Sequence, residues 1–200
     1  MQYTKRDWRN RNLIKTSNGL KWLTIPIEVK GKYYQKIKDT KIADKLWMKS
    51  HLEILQQNYY KAKFYKETWD WLEEMYLNCK FQFLTDINLY FIQAINDYLK
   101  INTEILYSDN FKLHDDRNMR LINICKELKG TDYYTGQSAK EYIDEKLFKS
   151  NGIKVHYFTY SNYPEYDQLY KDFEHGVSIL DLIFNTGDQT LNYMKSKLLT

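Results

Sequence analysis

Apolar positions in the first half of the chain change from a period of two to a period near 3.6. Residues 13–27 are predicted to form a hairpin, because apolar runs flank Ser17-Asn18-Gly19, and Asn-Gly favours the positive φ angles of a tight turn. Helical spacing then predicts long helices over residues 44–62 and about 64–77, and a third that begins near Thr85. The apolar stripe of this third helix is interpreted as core: Ile87, Phe91, Ile95 and Leu99.

From about residue 104 the pattern changes to short strand-like runs that alternate with helices. Such a rhythm is typical of α/β proteins. Ser138 and Glu141 match a capping box, which predicts a helix ending near Phe148. The other elements predicted here are a strand at 104–107, a helix after Asp115-Asp116, a strand at Tyr133-Tyr134, a strand over 153–159, and helices at 179–184 and 190–199 separated by Gly187.

Together these elements predict an α/β fold in a single domain spanning residues 1–200, with a mixed sheet, an N-terminal hairpin and covering helices. A chain of 200 residues with 43% apolar content is large enough to bury a core of its own. The sequence contains no repeat and no low-complexity linker that would divide it. Its oligomeric state is left open.

The distribution of charge changes this picture more than the net charge of +4 does. Residues 1–49 carry 13 lysines and arginines against 4 acidic residues, an excess of +9, so the remainder carries −5. Such a local excess attracts anions and makes their binding sensitive to salt. A solvated basic face is the alternative interpretation of the same residues.

Composition also excludes several classes of protein. No run approaches the roughly 20 apolar residues of a membrane helix, and the N-terminus lacks the apolar segment of a signal peptide. Cys79 and Cys125 are too far apart in sequence for a C-x-x-C metal or redox site, which favours a reducing, cytoplasmic location. The glycine-rich and H-E-x-x-H signatures of nucleotide and metal sites are absent, so the sequence indicates no metal and identifies no cofactor.

The densest candidate site lies between Tyr3 and Asn12, where arginines alternate with amides and an aromatic ring. Guanidinium groups grip phosphate or carboxylate in a bidentate manner, which predicts an anionic small molecule as ligand. In an extended segment Arg9 and Arg11 would share one face, opposite Trp8 and Asn12. Nucleic acid is disfavoured, because the basic excess is local and no DNA- or RNA-binding module is recognisable. The candidate binding residues here are Lys5, Arg6, Trp8, Arg9, Arg11 and Asn12.

Three further residues are candidates for acid–base chemistry. His51 lies beside the apolar stripe of its helix, which suits either a general base or a packed core histidine. His175 lies in a loop before a helix and is a candidate proton shuttle. Asp181 stands among apolar neighbours, so it is either a structural pin, a catalytic acid, or the third residue of a helix capped by Ser178.

Several of these stretches together resemble the WbqC-like family of bacterial surface-polysaccharide gene clusters, over almost the whole chain. The resemblance is carried by residues 5–12, Trp22-Leu23-Thr24-Ile25-Pro26, His51-Leu52 with Gln57-Asn58-Tyr59, Tyr134-Thr135-Gly136, and residues 178–185 followed by Gly187.

The resemblance implies a role in building O-antigen or a similar cell-surface glycan, with a nucleotide-linked amino sugar or an acyl carrier as the anionic partner and Asn185 among the binding residues. Members of the family are expected to have a segment with His-Gln-Pro before the Lys-Arg motif, and this chain is expected to lack it. Tyr163-Pro164 stands where many have His-Pro. Two hypotheses follow: an acyl or aminoacyl transferase, with His51 or His175 moving the proton and Asp181 orienting, or a non-catalytic binding or scaffolding protein of glycan assembly.

Overall fold

The computed structural model describes residues 2–4, 8–32 and 34–194. They group into two compact units, which are considered separately below. The first unit comprises Met1–Asn102 and Pro164–Tyr193, and the second comprises Thr103–Tyr163 and Met194–Thr200. The expectation that the chain is one folding domain stays a prediction.

The first unit is built from a hairpin and helices, and it contains the N-terminal cluster of arginines. Its strands are β1 (Arg11–Thr16) and β2 (Gly19–Thr24), and its helices are α1 (Trp47–Tyr59), α2 (Tyr65–Asn78), α3 (Leu84–Tyr98), α6 (Ile179–Thr186) and α7 (Thr190–Tyr193).

The predicted hairpin is confirmed. Strands β1 and β2 pair antiparallel, with Leu13 opposite Trp22 and Thr16 opposite Gly19. Gly19 has a φ of 98°, a value that disfavours residues with a Cβ. The turn therefore forms where Asn-Gly predicts it.

The core of this unit lies between the hairpin and the helices. Ile14 of β1 is fully buried beside Leu55 and Tyr59 of α1 and Leu72 of α2. The rings of Tyr59 and Phe184 stack with centroids 4.9 Å apart, which packs α1 against α6. Burying residues of this size stabilises the fold by about 1.5–3 kcal/mol each.

The second unit consists of a parallel strand pair covered by two helices. Strands β3 (Asp132–Gly136) and β4 (Lys154–Phe158) pair in parallel. Helices α4 (Arg117–Glu127) and α5 (Glu145–Ser150) complete it, with Ile122 and Phe148 fully buried at the centre of a small core. The Asp116 carboxylate caps α4 by accepting a hydrogen bond of 2.8 Å from the amide of Met119.

Two predictions for this unit are wrong. Residues 104–107 form no strand; they lie in irregular backbone before a 3₁₀ turn, because no neighbouring strand pairs with them. The helix predicted from Ser138 to Phe148 is instead a 3₁₀ turn at Gln137–Glu141 followed by α5, whose cap is the Asp144 side chain at 3.0 Å from the amide of Leu147. Asp144 therefore supplies the helix start that Ser138 was expected to supply.

The α/β class and the N-terminal hairpin are confirmed. Both antiparallel and parallel pairing occur, and among the described residues they form two separate two-stranded sheets. Over residues 2–4, 8–32 and 34–194, no helix is long and apolar enough to cross a membrane.

Candidate functional site

A cavity of about 310 Å³ in the first unit brings together most of the described residues that the sequence singled out. We call it the arginine pocket. Its inner wall is apolar and its N-terminal edge is basic. The pocket is lined by Trp8, Arg9, Asn10, Arg11, Asn12, Leu23, Ile25, Trp47, His51, Met75, Tyr76, Asn88, Phe91, Ile92, Ile95, Ser178, Ile179 and Leu180.

A short 3₁₀ turn, Trp8–Asn10, carries the basic edge of the pocket. Asn10 is buried and fixes this turn to the end of the hairpin: its Nδ2 donates to the carbonyl of Ile25 at 2.9 Å, and its Oδ1 accepts from Tyr3 Oη at 3.3 Å. The alternation considered for an extended segment does not apply over Trp8–Asn10, because these residues form a 3₁₀ turn before β1 begins. The turn nevertheless brings Trp8, Arg9 and Arg11 to one pocket.

Both arginines of the pocket rest against tryptophan rings. The guanidinium carbon of Arg9 lies 4.5 Å from the ring centroid of Trp8, and that of Arg11 lies 4.1 Å from the centroid of Trp22. Cation–π contacts of this kind orient a guanidinium group. Asn88 of α3 also donates to the carbonyl of Arg9 at 2.9 Å, so two elements hold this residue in place.

His51 lies in the apolar part of the pocket, and both of its ring nitrogens have hydrogen-bond partners. Its Nε2 lies 3.1 Å from the carbonyl of Thr24, which can only accept, so Nε2 carries the proton. Its Nδ1 then accepts from the hydroxyl of Tyr76 at 3.4 Å. Burial lowers the pKa of His51 from its ordinary value of 6.5 to about 4, so the ring is neutral near pH 7.

Tyr76 and Trp47 complete the interior around this histidine. Burial raises the pKa of the Tyr76 hydroxyl, which remains a hydrogen-bond donor. The Trp47 ring meets His51 edge-on, with centroids 5.1 Å apart, and Phe91 at 6.1 Å. Trp47 is only 4% exposed, and its Nε1 has no hydrogen-bond partner among the described residues.

The N-terminus of α6 forms another part of the wall. Ser178 caps this helix by accepting from the amide of Leu180 at 3.3 Å, while its own amide donates to the carbonyl of Leu13 at 2.7 Å. The positive end of the helix dipole therefore faces the same cavity as the arginines, and both favour a negatively charged ligand.

Asp181 lies outside the arginine pocket, buried in a network of hydrogen bonds. Its Oδ2 accepts from Tyr59 at 2.8 Å, and its Oδ1 accepts from Tyr166 at 2.8 Å and from Gln168 at 3.0 Å. Burial nevertheless raises the pKa of this carboxyl group above its ordinary value. It stands at the third position of the helix capped by Ser178, and these hydrogen bonds are compatible with the structural-pin interpretation.

The remaining candidates also lie elsewhere. Asn185 is buried, donates to the carbonyl of Asp181 at 2.7 Å, and lines a separate cavity of about 460 Å³ with Lys61 and Lys63. His175 is exposed in a loop, with its ring 4.6 Å from that of Phe173. Lys5 and Arg6 lie outside the described residues.

The structure thus brings together Trp8, Arg9, Arg11, Asn12 and His51, and it does not bring Asp181, Asn185 or His175 to the same pocket. Among the described residues, no cluster of three histidine, cysteine or acidic side chains could hold a metal ion.

Sequence reasoning did not identify Trp47, Tyr76 and Asn88, nor the role of the α3 stripe as a pocket wall. Phe91 and Ile95 were interpreted as core, yet they line the cavity, and Ile92 beside them is 49% exposed. One available signal was the spacing of Trp47 and His51, which places both on one face of α1.

Similarity to known proteins shows the family of the chain. The chain is 44% identical over 195 residues to Uncharacterized protein Rv1507c of Mycobacterium tuberculosis (strain ATCC 25618 / H37Rv), a match that covers 98% of this chain and 84% of the relative. No solved structure matches the chain. The model of the WbqC-like protein family matches residues 1–193, and the chain therefore belongs to that family, as its motifs indicated.

Proposed function

We propose that the chain takes part in the biosynthesis of a bacterial cell-surface polysaccharide by binding a phosphate-bearing precursor, a nucleotide-linked amino sugar, in the arginine pocket. The observation that carries this proposal is the meeting of Arg9, Arg11 and the α6 N-terminus at the edge of a largely apolar cavity. Family membership supports the pathway, since WbqC-like proteins are associated with polysaccharide gene clusters.

The shape of the pocket suits a ligand with two different ends. Guanidinium groups and helix N-termini both bind phosphate, so the anionic end lies at the basic edge. The interior, which includes Met75, Phe91 and Ile95, accommodates a less polar group. Trp8 is 73% exposed beside Arg9, which makes its ring available for stacking on a nucleobase.

The reaction proposed for this pocket is acyl or aminoacyl transfer to the sugar amine. The amine nitrogen attacks the carbonyl carbon of a thioester, a C–N bond forms, and the C–S bond to the carrier breaks. The nitrogen loses one proton, and the departing carrier thiolate takes up a proton and leaves as the thiol. The Tyr76 hydroxyl and His51 Nδ1, 3.4 Å apart, are the candidate path for that proton.

A non-catalytic binding or scaffolding role is the second candidate, and one observation favours it. Both nitrogens of His51 have partners within the protein, and the lowered pKa of about 4 makes the imidazole a weak base. Neither Asp181 nor His175 lines this pocket to assist it.

The binding part of the proposal is tested by thermal stabilisation with uridine diphosphate sugars and with coenzyme A. Wild-type protein is expected to gain several degrees in melting temperature, and Arg9→Glu with Arg11→Glu is expected to abolish the gain. The matched control is Lys45→Glu with Lys66→Glu, which changes the net charge equally at exposed positions outside the pocket. Equal stabilisation of both double variants would contradict a phosphate site at the two arginines.

A further inference from the structure

The first unit contains another cavity, of about 460 Å³, which shares no lining residue with the arginine pocket. We call it the lysine cavity, after Lys61 and Lys63 at its lining. The two cavities lie at opposite ends of α6, because Ser178 lines the arginine pocket and Asn185 lines the lysine cavity. The lysine cavity is therefore a candidate site of its own.

Asn185 gives the lysine cavity a buried polar group with a fixed orientation. It is 9% exposed, and its Nδ2 donates to the carbonyl of Asp181 at 2.7 Å and to Asp181 Oδ1 at 3.4 Å. Both partners are acceptors, so the amide nitrogen faces them and Oδ1 faces the other way. This oxygen accepts no hydrogen bond from the described residues, and it is not covered from solvent. It is therefore an open acceptor for a donor group of a ligand.

Three charged side chains also line the lysine cavity without an ion-pair partner among the described residues. They are Lys61, Lys63 and Asp167, and the described salt bridges involve none of them. All three are exposed, and exposed charges alone do not define a site. Combined with the buried oxygen of Asn185, however, they offer cations to a carboxylate and two acceptors to an ammonium group.

Aromatic rings form the apolar part of the wall. Phe64, Tyr166 and Tyr193 line the cavity, and the rings of the two tyrosines meet edge-on with centroids 5.7 Å apart. The hydrogen bond of 2.8 Å from Tyr166 to Asp181 Oδ1 holds one of these rings in place. Aromatic side chains favour stacked or edge-to-face contacts with a further ring, so this wall suits an aromatic group.

We propose that the lysine cavity binds a free α-amino acid with an aromatic side chain. Lys61 and Lys63 attract its carboxylate. Asp167 and Asn185 Oδ1 accept from its ammonium group, and its ring packs against the aromatic wall. A volume of about 460 Å³ lies in the ordinary range of sites for small molecules. The inference concerns a second ligand and does not depend on phosphate binding in the arginine pocket.

The first test uses the wild-type protein and removes one part of the ligand at a time. Calorimetry compares L-phenylalanine with phenylpropionate, which lacks the ammonium group, with phenylethylamine, which lacks the carboxylate, and with L-alanine, which lacks the ring. A hydrogen bond to a charged group, or burial of a ring, corresponds to at least about tenfold in affinity, so L-phenylalanine is expected to bind at least tenfold more tightly than each of the others. Equal binding of any of them, or no binding of L-phenylalanine at millimolar concentration, would overturn the inference.

The second test neutralises the charges at exposed positions, where the fold tolerates substitution. Lys61→Gln with Lys63→Gln is expected to bring L-phenylalanine and phenylethylamine to within about twofold of each other, and Asp167→Asn to do the same for L-phenylalanine and phenylpropionate. The matched controls are Lys30→Gln with Lys45→Gln, and Asp70→Asn, which are exposed outside both cavities and should leave every preference unchanged. Preferences that persist in the cavity variants would contradict the assignment.

The location of the ligand separates this inference from the proposed function. Arg9→Glu with Arg11→Glu is expected to abolish stabilisation by uridine diphosphate sugars and to leave the binding of L-phenylalanine unchanged. If these arginine substitutions abolish L-phenylalanine binding, the amino acid occupies the arginine pocket and the inference fails. If nucleotide sugars show no dependence on the arginines while L-phenylalanine depends on Lys61, Lys63 and Asp167, the proposed function fails and the inference holds.

Discussion

The hydroxyl of Tyr59 donates a hydrogen bond of 2.8 Å to Oδ2 of Asp181, which joins α1 to α6 through the centre of the first unit. The carboxylate also accepts from Tyr166 and Gln168. Asp181→Ala would leave the buried Tyr59 hydroxyl and the half-buried Tyr166 hydroxyl without this acceptor, whereas Gln168 Nε2 would still donate to the carbonyl of Glu174. We expect it to lower the free energy of unfolding by about 3 kcal/mol, measured by urea denaturation.

Exposed Glu73→Ala is the control for this substitution and should change stability by less than about 0.5 kcal/mol. If Asp181→Ala unfolds like the control while turnover is lost, Asp181 acts in catalysis and the structural interpretation is wrong.

His51 predicts a specific dependence of stability on pH. Its pKa is about 4 when folded, against an ordinary value of 6.5, so the unfolded chain takes up this proton first as the pH falls. The contribution of His51 is therefore complete above pH 6.5 and is lost between 6.5 and about 4, by up to about 3 kcal/mol.

The measurement is the difference in unfolding free energy between wild type and His51→Gln across this pH range. The comparison is necessary because the raised pKa of Asp181 stabilises the folded state as the pH falls, which is opposite to the effect of His51. This contribution is the same in wild type and variant, so it cancels in the difference. Parallel pH profiles of wild type and variant would show that the histidine titrates normally in the folded state.

Tyr76→Phe distinguishes a transferase from a binding protein. The change removes the hydroxyl that donates to His51 Nδ1 and keeps a buried ring. In a transferase that uses this pair, product formation should fall at least a hundredfold while ligand-induced stabilisation persists. Unchanged turnover would exclude the Tyr76–His51 pair from proton transfer, and loss of binding and turnover together would favour a binding or folding role.

At Gly187, even substitution by alanine is expected to lower the stability of the fold. Its φ is 55°, and an added Cβ would lie 2.6 Å from Cγ of Phe64. Gly187→Ala should therefore destabilise the protein by about 3 kcal/mol, from left-handed backbone strain together with the steric clash. Gly31→Ala is the control, since it has a φ of 73° and open space around it, and it should cost only about 1 kcal/mol.

Lys15 holds the segment that precedes α6. It is 5% exposed, and its ammonium group donates to Gln168 Oε1 and to the carbonyl oxygens of Tyr170 and Asp172 at 2.7–2.8 Å. Lys15→Met should accelerate hydrogen exchange across residues 166–175 more than in α1. Exposed Lys21→Met should leave exchange there unchanged, and equal exchange in both variants would show that Lys15 does not fix this segment.

The sequence predicts an element correctly where the residues within that element determine its conformation. The hairpin turn at Asn18-Gly19 and the Ser178 cap of α6 follow from the conformational preferences of single residues, and both are observed. The strand at 104–107 failed because a strand depends on a partner that the local sequence does not specify.

The candidate site could be predicted in part for the same reason. Clustered arginines indicate an anion wherever they lie, whereas Phe91 and Ile95 have the same spacing whether they face a core or a cavity. Tyr76 joins the site only through tertiary packing, in which its ring on α2 lies 5.8 Å from that of Trp47 on α1.

The hydrogen bond from Asn10 to the carbonyl of Ile25 has a thermodynamic consequence for ligand binding. The turn that carries Trp8 and Arg9 is fastened to the hairpin by a buried amide, so its backbone is ordered before any ligand arrives. Little conformational entropy is then lost on binding, and a ligand of modest size retains most of its interaction energy as affinity.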